Sequence, residues 1–391
     1  MLTRRGWLLG VGAIVLVATG RILGISELFA LAAGAIALVI GALVYVHVTR
    51  VSLDAERELH PPRVHAGSPS RVELTVHNRG TRRTPVIGVR DPFDGGRRWA
   101  RFLLSPLGVG EQARAAYRLP TERRGVYDLG PLEVQLTDPF GVAAWKTVAA
   151  AATQLTVFPH VDVIEPLPQT LGHDPHAATD HPTAIGRGGE DFYALRPYEQ
   201  GDDLRRVHWP TTAKTGEMMI RQDEMPWQGR ATVVLDVRRS VHTSASLEQA
   251  ISAAASIVSA AWRQRALIRL VATDGVDSGF GAGPAHTEAI LEHLATVSAT
   301  KLGGLDAAVE LIRRDAHGGA LAVVTTAGAP DGDLQRLAAL RSRYGVVLVL
   351  FDQGGGPPKA APNVGRLVRV STQSTFADAW HLGVASGRLL A

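Results

Sequence analysis

The sequence predicts a multidomain protein with a two-helix transmembrane hairpin, an antiparallel β-sandwich and a three-layer α/β domain. Three features predict this arrangement. The first 50 residues are almost wholly apolar, residues 51–165 alternate apolar and polar side chains between turns, and residues 231–391 repeat Val- and Leu-rich strands between helical segments. The chain has 391 residues, 46% of them hydrophobic and 20% charged, which is enough for two or three packed domains.

Composition excludes several kinds of chemistry. The chain has no cysteine, so disulfides, thiolate metal sites and cysteine nucleophiles are ruled out. Its net charge is only +4, and the basic residues are scattered rather than clustered, so the sequence does not predict a nucleic-acid partner.

Residues 1–50 predict the membrane hairpin. Two apolar stretches, 6–25 and 28–48, are each close to the roughly 20 residues that cross a bilayer as a helix. Arg21, Ser26 and Glu27 mark the turn between them. Basic residues lie mainly at the two outer ends of the hairpin, before the first stretch and after the second: Arg4, Arg5, Arg50, Arg57 and Arg63. Because cytoplasmic ends carry the excess of Lys and Arg, we expect a multi-pass plasma-membrane protein whose termini and domains are cytoplasmic.

A cleaved signal peptide is the competing interpretation of the N-terminus. Two arginines followed by an apolar stretch are typical of one. However, no small-x-small cleavage site with a polar start precedes the second apolar stretch, which favours the hairpin.

Residues 51–165 predict an antiparallel β-sandwich of the immunoglobulin-like class. Short segments with a period of two residues are separated by Gly, Pro, Asn and Asp, which is the pattern of half-buried strands between tight turns. The clearest strand segments are 71–77, 85–90, 113–119, 132–136 and 153–158.

Residues 166–187 predict a linker, because Pro, Gly, Thr and Asp predominate and no apolar period is present. Five residues there have side chains that bind zinc or iron in other settings: His173, Asp174, His176, Asp180 and His181. Nothing in a linker of this composition orients such ligands, so we expect no metal site here.

Residues 188–230 form the most distinctive segment, in which aromatic, basic and acidic residues surround glycines. The run Gly-Glu-x-Phe, Leu-Arg-x-Tyr-x-x-Gly-Asp-x-x-Arg-x-x-His-Trp and Ala-Lys-Thr-Gly resembles the signature of a bacterial membrane-protein family catalogued as domain of unknown function 58. The matching positions are Gly189, Glu190, Phe192, Leu195, Arg196, Tyr198, Gly201, Asp202, Arg205, His208, Trp209, Ala213, Lys214, Thr215, Gly216 and Arg221. Pro210 departs from it, because that family usually has Lys after the Trp. The resemblance implies a membrane location and a MoxR-type AAA+ ATPase as partner, since such proteins are commonly encoded together.

The signature segment has two interpretations. Arg196, Arg205 and Arg221 can each present a planar fork to carboxylates such as Glu190 and Asp202, and the aromatic rings can stack on those guanidinium groups. Such a network either clasps the segment to its neighbouring domains or forms a partner surface. Trp, Tyr and Arg dominate binding hot spots, so an exposed subset of them favours a partner.

Residues 231–391 predict an α/β domain with a parallel sheet, and the order of its elements resembles a von Willebrand factor A domain. Such domains often hold a divalent cation through Asp-x-Ser-x-Ser after the first strand, a Thr and a further Asp. Here Asp236 and Ser240 match, Arg238 replaces the middle Ser, and the other two loops have Leu305 and Thr326. We therefore expect a degenerate site without metal or other cofactor. Asp274 and Asp277 have no acid or base partner at a recognisable spacing, and turn chemistry explains them.

These features predict a membrane-anchored, non-enzymatic adaptor that works with a MoxR-type AAA+ ATPase. One alternative is a metal-dependent adhesion protein, which the broken ligand set argues against. The other is an unrecognised hydrolase that uses acids of the signature, which would need Glu190 or Asp202 in a pocket with a raised pKa.

Overall fold

A computed structural model describes residues 1–49, 52–168, 191–198, 207–224, 229–314, 318–352 and 365–385. The chain divides into two compact units, Met1–Pro159 and His160–Ala391. Two apolar helices and two sheets of mostly antiparallel strands make up the first unit, and the second is built on a parallel sheet.

Two long apolar helices begin the first unit, as the sequence predicts. Helices α1 (Arg4–Leu23) and α2 (Glu27–Val48) are long and apolar enough to cross a membrane, at 20 and 22 residues. Thr3 caps α1, because its hydroxyl accepts a hydrogen bond from the backbone N–H of Gly6 at 3.1 Å. Gly24 ends α1 with a φ of 69°, a left-handed conformation that favours glycine, and the chain then turns back into α2.

Ten strands follow in the described part of the first unit. They are β1 (Leu53–His60), β2 (Arg63–His65), β3 (Ser70–Asn78), β4 (Ile87–Phe93), β5 (Arg98–Leu104), β6 (Gln112–Leu119), β7 (Gly125–Leu129), β8 (Leu132–Thr137), β9 (Ala144–Ala150) and β10 (Thr153–Phe158). One sheet has the order β1-β3-β6, and the other has the order β2-β10-β7-β4-β8-β9 with β5 added on β4. Buried apolar side chains from both sheets form one hydrophobic core.

The larger sheet contains two long strands that are each interrupted at the same level. Only Gly130 and Pro131 separate β7 from β8, and both of these strands pair with β4. Residues 151–152 separate β9 from β10. Strand β9 pairs with β8, and β10 pairs with β7. Backbone carbonyls beside these interruptions are available for other hydrogen bonds.

A buried ion pair joins the two sheets at the interruption. Arg57 of β1 donates hydrogen bonds to the carbonyls of Leu129 at 3.1 Å and Ala151 at 2.9 Å, and pairs with the buried carboxylate of Asp91 on β4. Tyr117 of β6 donates to the same carboxylate at 2.8 Å. Burial, and then the neighbouring Asp91 charge, raise the pKa of Tyr117, so this phenol remains a neutral donor. The sequence patterns did not reveal this network.

The second unit contains the signature segment and an α/β domain. Its described elements are β11 (Asp191–Pro197), α3 (Trp209–Thr215), β12 (Met219–Glu224), β13 (Arg230–Leu235), α4 (Ser244–Arg263), β14 (Leu267–Ala272), α5 (Gly283–Thr296), α6 (Leu305–Arg314), β15 (Gly319–Thr326), α7 (Asp331–Leu337), β16 (Tyr344–Phe351), β17 (Arg366–Val370) and α8 (Phe376–Trp380). Strands β13 to β17 form a parallel sheet in the order β14-β13-β15-β16-β17, and β11 pairs with β12 as a separate antiparallel ribbon.

Helices cover both faces of the parallel sheet. Val234 of β13 belongs to a core cluster with apolar residues of α6 and α7. Val233 and Leu235 point to the opposite face and are also fully buried. Strands buried on both faces explain why the sequence shows continuous apolar runs here rather than alternation.

The segment 160–165, which the sequence assigns to the sandwich domain, is hydrogen-bonded to helices of the second unit. The backbone N–H of Asp162 donates to Ser256 Oγ of α4 at 2.9 Å. Arg263, the last residue of α4, donates to the carbonyl of Ile164 at 3.1 Å. The indole N–H of the fully buried Trp380 donates to the carbonyl of Glu165 at 2.7 Å.

Candidate functional site at the sheet edge

Polar side chains gather at the carboxyl edge of the parallel sheet, where sites on such sheets usually lie. Asp236 directly follows β13, Thr273 directly follows β14, and Thr325 lies near the end of β15. We call these residues, together with Arg238, His242 and Asp333, the sheet-edge cluster. Asp236 and both threonines are at most 1% exposed.

Asp236 is the centre of the sheet-edge cluster, and each of its carboxylate oxygens has more than one donor. Oδ2 accepts from the Thr325 hydroxyl at 2.8 Å and from Arg238 Nη2 at 2.7 Å. Oδ1 accepts from Arg238 Nε at 2.9 Å and from the Thr273 hydroxyl at 3.3 Å. A buried carboxylate with this many donors is stable as the anion.

Arg238 also binds a second carboxylate. Its Nη1 lies 2.7 Å from Oδ2 of Asp333, which comes from the first turn of α7. The guanidinium is therefore a bridge between a carboxylate at the end of β13 and one on α7. Its side chain is only 13% exposed, so solvent screens these ion pairs weakly.

The charges in the cluster shift each other's pKa. Burial alone would raise the pKa of Asp236, but the hydrogen bonds and charge of Arg238 outweigh it and hold that pKa below its usual value. The hydrogen bond to Asp236 raises the pKa of Arg238. Both side chains are charged at neutral pH, so Arg238 balances the charge of Asp236 without any added ion.

His242 lies beside this ion pair and is 8% exposed. Its Nδ1 is 3.3 Å from the hydroxyl of Ser246, while its Nε2 has no hydrogen-bond partner among the described residues. Burial is the main cause of a lowered pKa for His242, and the Asp236 carboxylate only partly opposes it. The imidazole is therefore neutral at pH 7.

The cluster does not fit a divalent cation, which needs several oxygens converging on an open position. Arg238 fills the space between the two carboxylates. Ser240 is exposed, Leu305 is fully buried in the core, and the Thr326 hydroxyl donates to the carbonyl of Val241 at 2.8 Å. Of the predicted positions, only Asp236 and Arg238 come together.

Asp277 pairs with an arginine rather than with another acid. Arg269 donates to it through Nε at 2.8 Å and Nη2 at 2.7 Å, and this bidentate contact is the main cause of the lowered pKa of Asp277. Asp274 accepts from the backbone N–H of Val276 at 3.2 Å, as in a turn.

The signature segment is described in part. Trp209 begins α3 and is 66% exposed, while Tyr198 is half-buried and Lys214 is exposed. His208 caps α3, with its Nδ1 2.9 Å from the Thr211 hydroxyl. Pro210 occupies the first turn, where its missing N–H costs no helical hydrogen bond.

Gly216 ends α3 with a φ of 76°, which explains a glycine at the end of the Ala-Lys-Thr-Gly motif. The Thr212 hydroxyl accepts a hydrogen bond from the backbone N–H of Met219 at 3.0 Å, and Val207 forms a bridge with Ile220. These contacts hold α3 against β12.

Several predicted positions cannot be placed. Five signature residues lie outside the described residues: Gly189, Glu190, Gly201, Asp202 and Arg205. Three others lie on β11 or β12 with only their backbone described: Phe192, Arg196 and Arg221. The linker residues His173, Asp174, His176, Asp180 and His181 also lie outside the described part of the chain.

Sequence reasoning missed Asp333, Thr273, Thr325 and His242. The resemblance to von Willebrand factor A domains places an acid in the loop directly after β15, where this chain has Thr326, but Asp333 lies seven residues beyond the end of that strand. The sequence signal that could have located it is an acidic residue in the first turn of the next helix, which is a common position for acids.

Comparison with known proteins gives one family match. Residues 194–376 match the model of the family described as "Protein of unknown function DUF58". No curated protein matches the chain.

Solved structures give only partial likenesses. The CARDB domain of the PF1109 protein from Pyrococcus furiosus, in complex with di-metal ions, is 18% identical, with 28% of this chain and 94% of that chain covered and a TM-score of 0.23. The putative ApaA protein from Bordetella pertussis is 14% identical, with 28% and 94% covered and a TM-score of 0.21. A beta-glucosidase from Listeria innocua, in complex with gluconolactone, is 15% identical, with 26% and 16% covered and a TM-score of 0.17. Likenesses this low support no conclusion about fold or function.

Proposed function

Residues 194–376 belong to the DUF58 family, and from this premise we propose that the protein is a membrane-anchored, non-enzymatic adaptor for a MoxR-type AAA+ ATPase. Helices α1 and α2 are the anchor, both termini and both units are cytoplasmic, and the adaptor works in a chaperone-like assembly. The pairing of this family with MoxR-type ATPases comes from the resemblance of the signature.

One observation carries the partner role: Trp209 is 66% exposed at the start of α3. If the segment only held neighbouring domains together, its aromatic residues would be buried. In a binding hot spot they are exposed to solvent until the partner binds. Met218 is 41% exposed, and Lys214 is exposed on the same short helix as Trp209. Trp and Met are enriched in interface cores, and the charge of Lys214 suits the polar rim around such a core.

Two fold assignments accompany this proposal. We assign the sandwich in the first unit to the immunoglobulin-like class, which its two sheets and shared core support. We assign the second unit to the von Willebrand factor A class with a degenerate ion site. The position of Asp236 at the carboxyl end of β13 supports this assignment.

Two acids of the second unit, one of them in the sheet-edge cluster, support a non-enzymatic role. Asp236 and Asp277 are each held by an arginine, and the pKa of each is lowered, which is opposite to what a general acid needs at neutral pH. Arg238 also argues against metal-dependent adhesion, because it brings a fixed positive charge to the place where a cation would bind.

A pull-down from gently solubilised membranes tests the adaptor role. The tagged wild type is compared with Trp209→Ala and with Trp262→Ala, a matched control at a tryptophan that is 42% exposed on α4. We expect mass spectrometry to find an AAA+ ATPase with the wild type and the control, and at least about tenfold less with Trp209→Ala, as at a binding hot spot. Thermal melting of all three proteins verifies that they fold. Equal recovery with Trp209→Ala, or no ATPase in any sample, contradicts the proposal.

A further inference from the structure

The end of the sandwich that adjoins α1 and α2 is built from three loops and the N-terminal residues. At the end of the β8–β9 hairpin, Thr137 pairs with Ala144. The Met1 ammonium group donates to the carbonyl of Ala144 at 2.9 Å, and the backbone N–H of Thr3 donates to Val142 O at 2.9 Å. Residues 138–143 are thus fixed beside the start of α1.

The other two loops lie at the same end. Ile87 pairs with Leu104, and Gly88 pairs with Gln135 two residues from the end of β8, so the start of β4 and the end of β5 share this end. Loops 79–86 and 105–111 join these strands to the smaller sheet. Asn78 ties the loops together by donating to the carbonyls of Arg82 and Gly108, both at 2.9 Å.

Aromatic residues lie where this end meets α1 and α2. Trp7 of α1 is 65% exposed, and Tyr45 of α2 and Trp145 of β9 pack on one small apolar cluster with Val142 and Ala143. Trp and Tyr near the ends of transmembrane helices lie at the level of the lipid headgroups. With α1 and α2 in a bilayer, as proposed above, residues 138–143 lie at that level as well.

The loops at this end expose apolar side chains beside arginines. Phe140 is 65% exposed at the tip of its turn, and Val109 is 63% exposed in its loop. Arg79, Arg82 and Arg83 are all exposed in loop 79–86.

Acidic residues at this end already have partners. Arg79 pairs with Asp54 at 3.4 Å, Glu111 accepts from the backbone N–H of Gly108, and the buried Asp138 accepts from backbone N–H groups of its own turn. No partner is found among the described residues for the side chains of Arg82 and Arg83.

We propose that this end of the sandwich binds the headgroups of anionic phospholipids in the bilayer that holds α1 and α2. Phe140 enters the interface, and Arg82 and Arg83 contact the lipid phosphates. Basic residues next to an apolar insertion are typical of surfaces that bind anionic membranes. The proposal rests on the membrane anchoring in the proposed function, but it does not depend on the ATPase.

Site-specific fluorescence of the full-length chain in lipid nanodiscs tests this surface. The chain has no cysteine, so a single Val109→Cys accepts an environment-sensitive dye without background labelling. Glu122→Cys, in the exposed loop between β6 and β7 at the opposite end, is the reference position. Nanodiscs contain phosphatidylcholine alone or phosphatidylcholine with phosphatidylglycerol.

We expect the dye at position 109 to be less accessible to a water-soluble quencher in the anionic discs, and the dye at position 122 to be unchanged. Arg82→Gln with Arg83→Gln should weaken the docked state about fivefold per arginine and remove the difference between the discs. Arg97→Gln with Arg123→Gln, which removes two exposed arginines from the opposite end, should keep it. Phe140→Ser should weaken docking in both kinds of disc.

The outcomes separate the two proposals. If the chain resists carbonate extraction from membranes but the dye behaves alike in both discs, the lipid-binding inference is wrong and the anchoring stands. If carbonate removes the chain, both fail. The inference is also wrong if the Arg97 and Arg123 substitutions weaken docking as much as the Arg82 and Arg83 substitutions do. The net charge of the protein, rather than this surface, would then explain the difference between the discs.

Discussion

Arg238 is the cation that pairs with both carboxylates of the sheet-edge cluster, Asp236 and Asp333. Its removal leaves these two carboxylates without that cation. Asp236 is 0% exposed and cannot recover its lost donors from water. We expect Arg238→Ala to lower the free energy of unfolding by about 3–5 kcal/mol, the usual result of breaking a buried ion pair. Chemical denaturation of the full-length protein in detergent measures this loss.

A double substitution is the control for Arg238→Ala. Asp236→Asn combined with Arg238→Met removes both charges, so it should lose less stability than Arg238→Ala alone. A single variant as stable as the wild type would mean that the ion pair contributes nothing to folding.

His242 makes the stability of the second unit depend on pH. Its pKa is lowered in the folded protein, mainly by burial, whereas the unfolded chain has the ordinary value of about 6.5. Below that pH the unfolded state binds more protons than the folded state, so stability is complete above about pH 6.5 and is lost as the pH falls. His242→Gln should reduce the fall in melting temperature between about pH 7.5 and about pH 5.5. His381→Gln, at an exposed position, should leave that fall unchanged.

At the scale of elements, Arg57 connects β1 to strands of the larger sheet, with which β1 does not pair. It lies on β1 and reaches the carboxylate on β4, the end of β7 and the residue after β9. Arg57→Met should destabilise the first unit by about 3–5 kcal/mol, because Asp91 would remain buried without its cation. Arg71→Met removes an exposed arginine paired with Glu73 and should change stability by less than about 1 kcal/mol. Equal effects in a denaturation experiment would show that burial of the pair is unimportant.

The elements that sequence predicted well are those with a simple burial pattern. The strand predicted at 153–158 is β10, and the strand predicted at 113–119 lies within β6. The parallel sheet was predicted from its Val- and Leu-rich strands, which form continuous apolar runs because both of their faces are buried. By contrast, β1 carries four charged residues in eight positions. The alternation of apolar and polar side chains that predicts a strand is therefore weak in its sequence. β5 lies at a sheet edge and exposes Trp99 and Leu103, so its apolar residues do not mark one buried face.

The candidate site was predictable only where its residues are close in sequence. Asp236 and Arg238 are separated by one residue, so the sequence alone shows that Arg238 stands where the metal-binding motif has a serine. Arg238 and Asp333 lie 95 residues apart, and no pattern within either segment links them. The same holds for Arg57 and Asp91, whose pairing depends on the order of strands in the two sheets.

At the scale of the whole molecule, the anchoring proposal makes a prediction about topology. If both termini are cytoplasmic, the turn between α1 and α2 lies outside the cell. In a chain without native cysteine, a membrane-impermeant maleimide should label Ser26→Cys in intact cells. It should label Glu122→Cys and Glu248→Cys, one exposed position in each unit, only after permeabilisation. The reverse pattern would place the domains outside and remove any cytoplasmic ATPase as a partner.

The interruption between β7 and β8 also limits how this protein can evolve. A Cβ atom on Gly130 would lie 2.6 Å from a guanidinium nitrogen of Arg57, and Gly130 has a φ of 92°. A larger residue there would displace the arginine and leave the carboxylate of Asp91 alone in the core. Related chains should therefore inherit Gly130, Arg57 and Asp91 together or lose them together, although the three lie far apart in the gene.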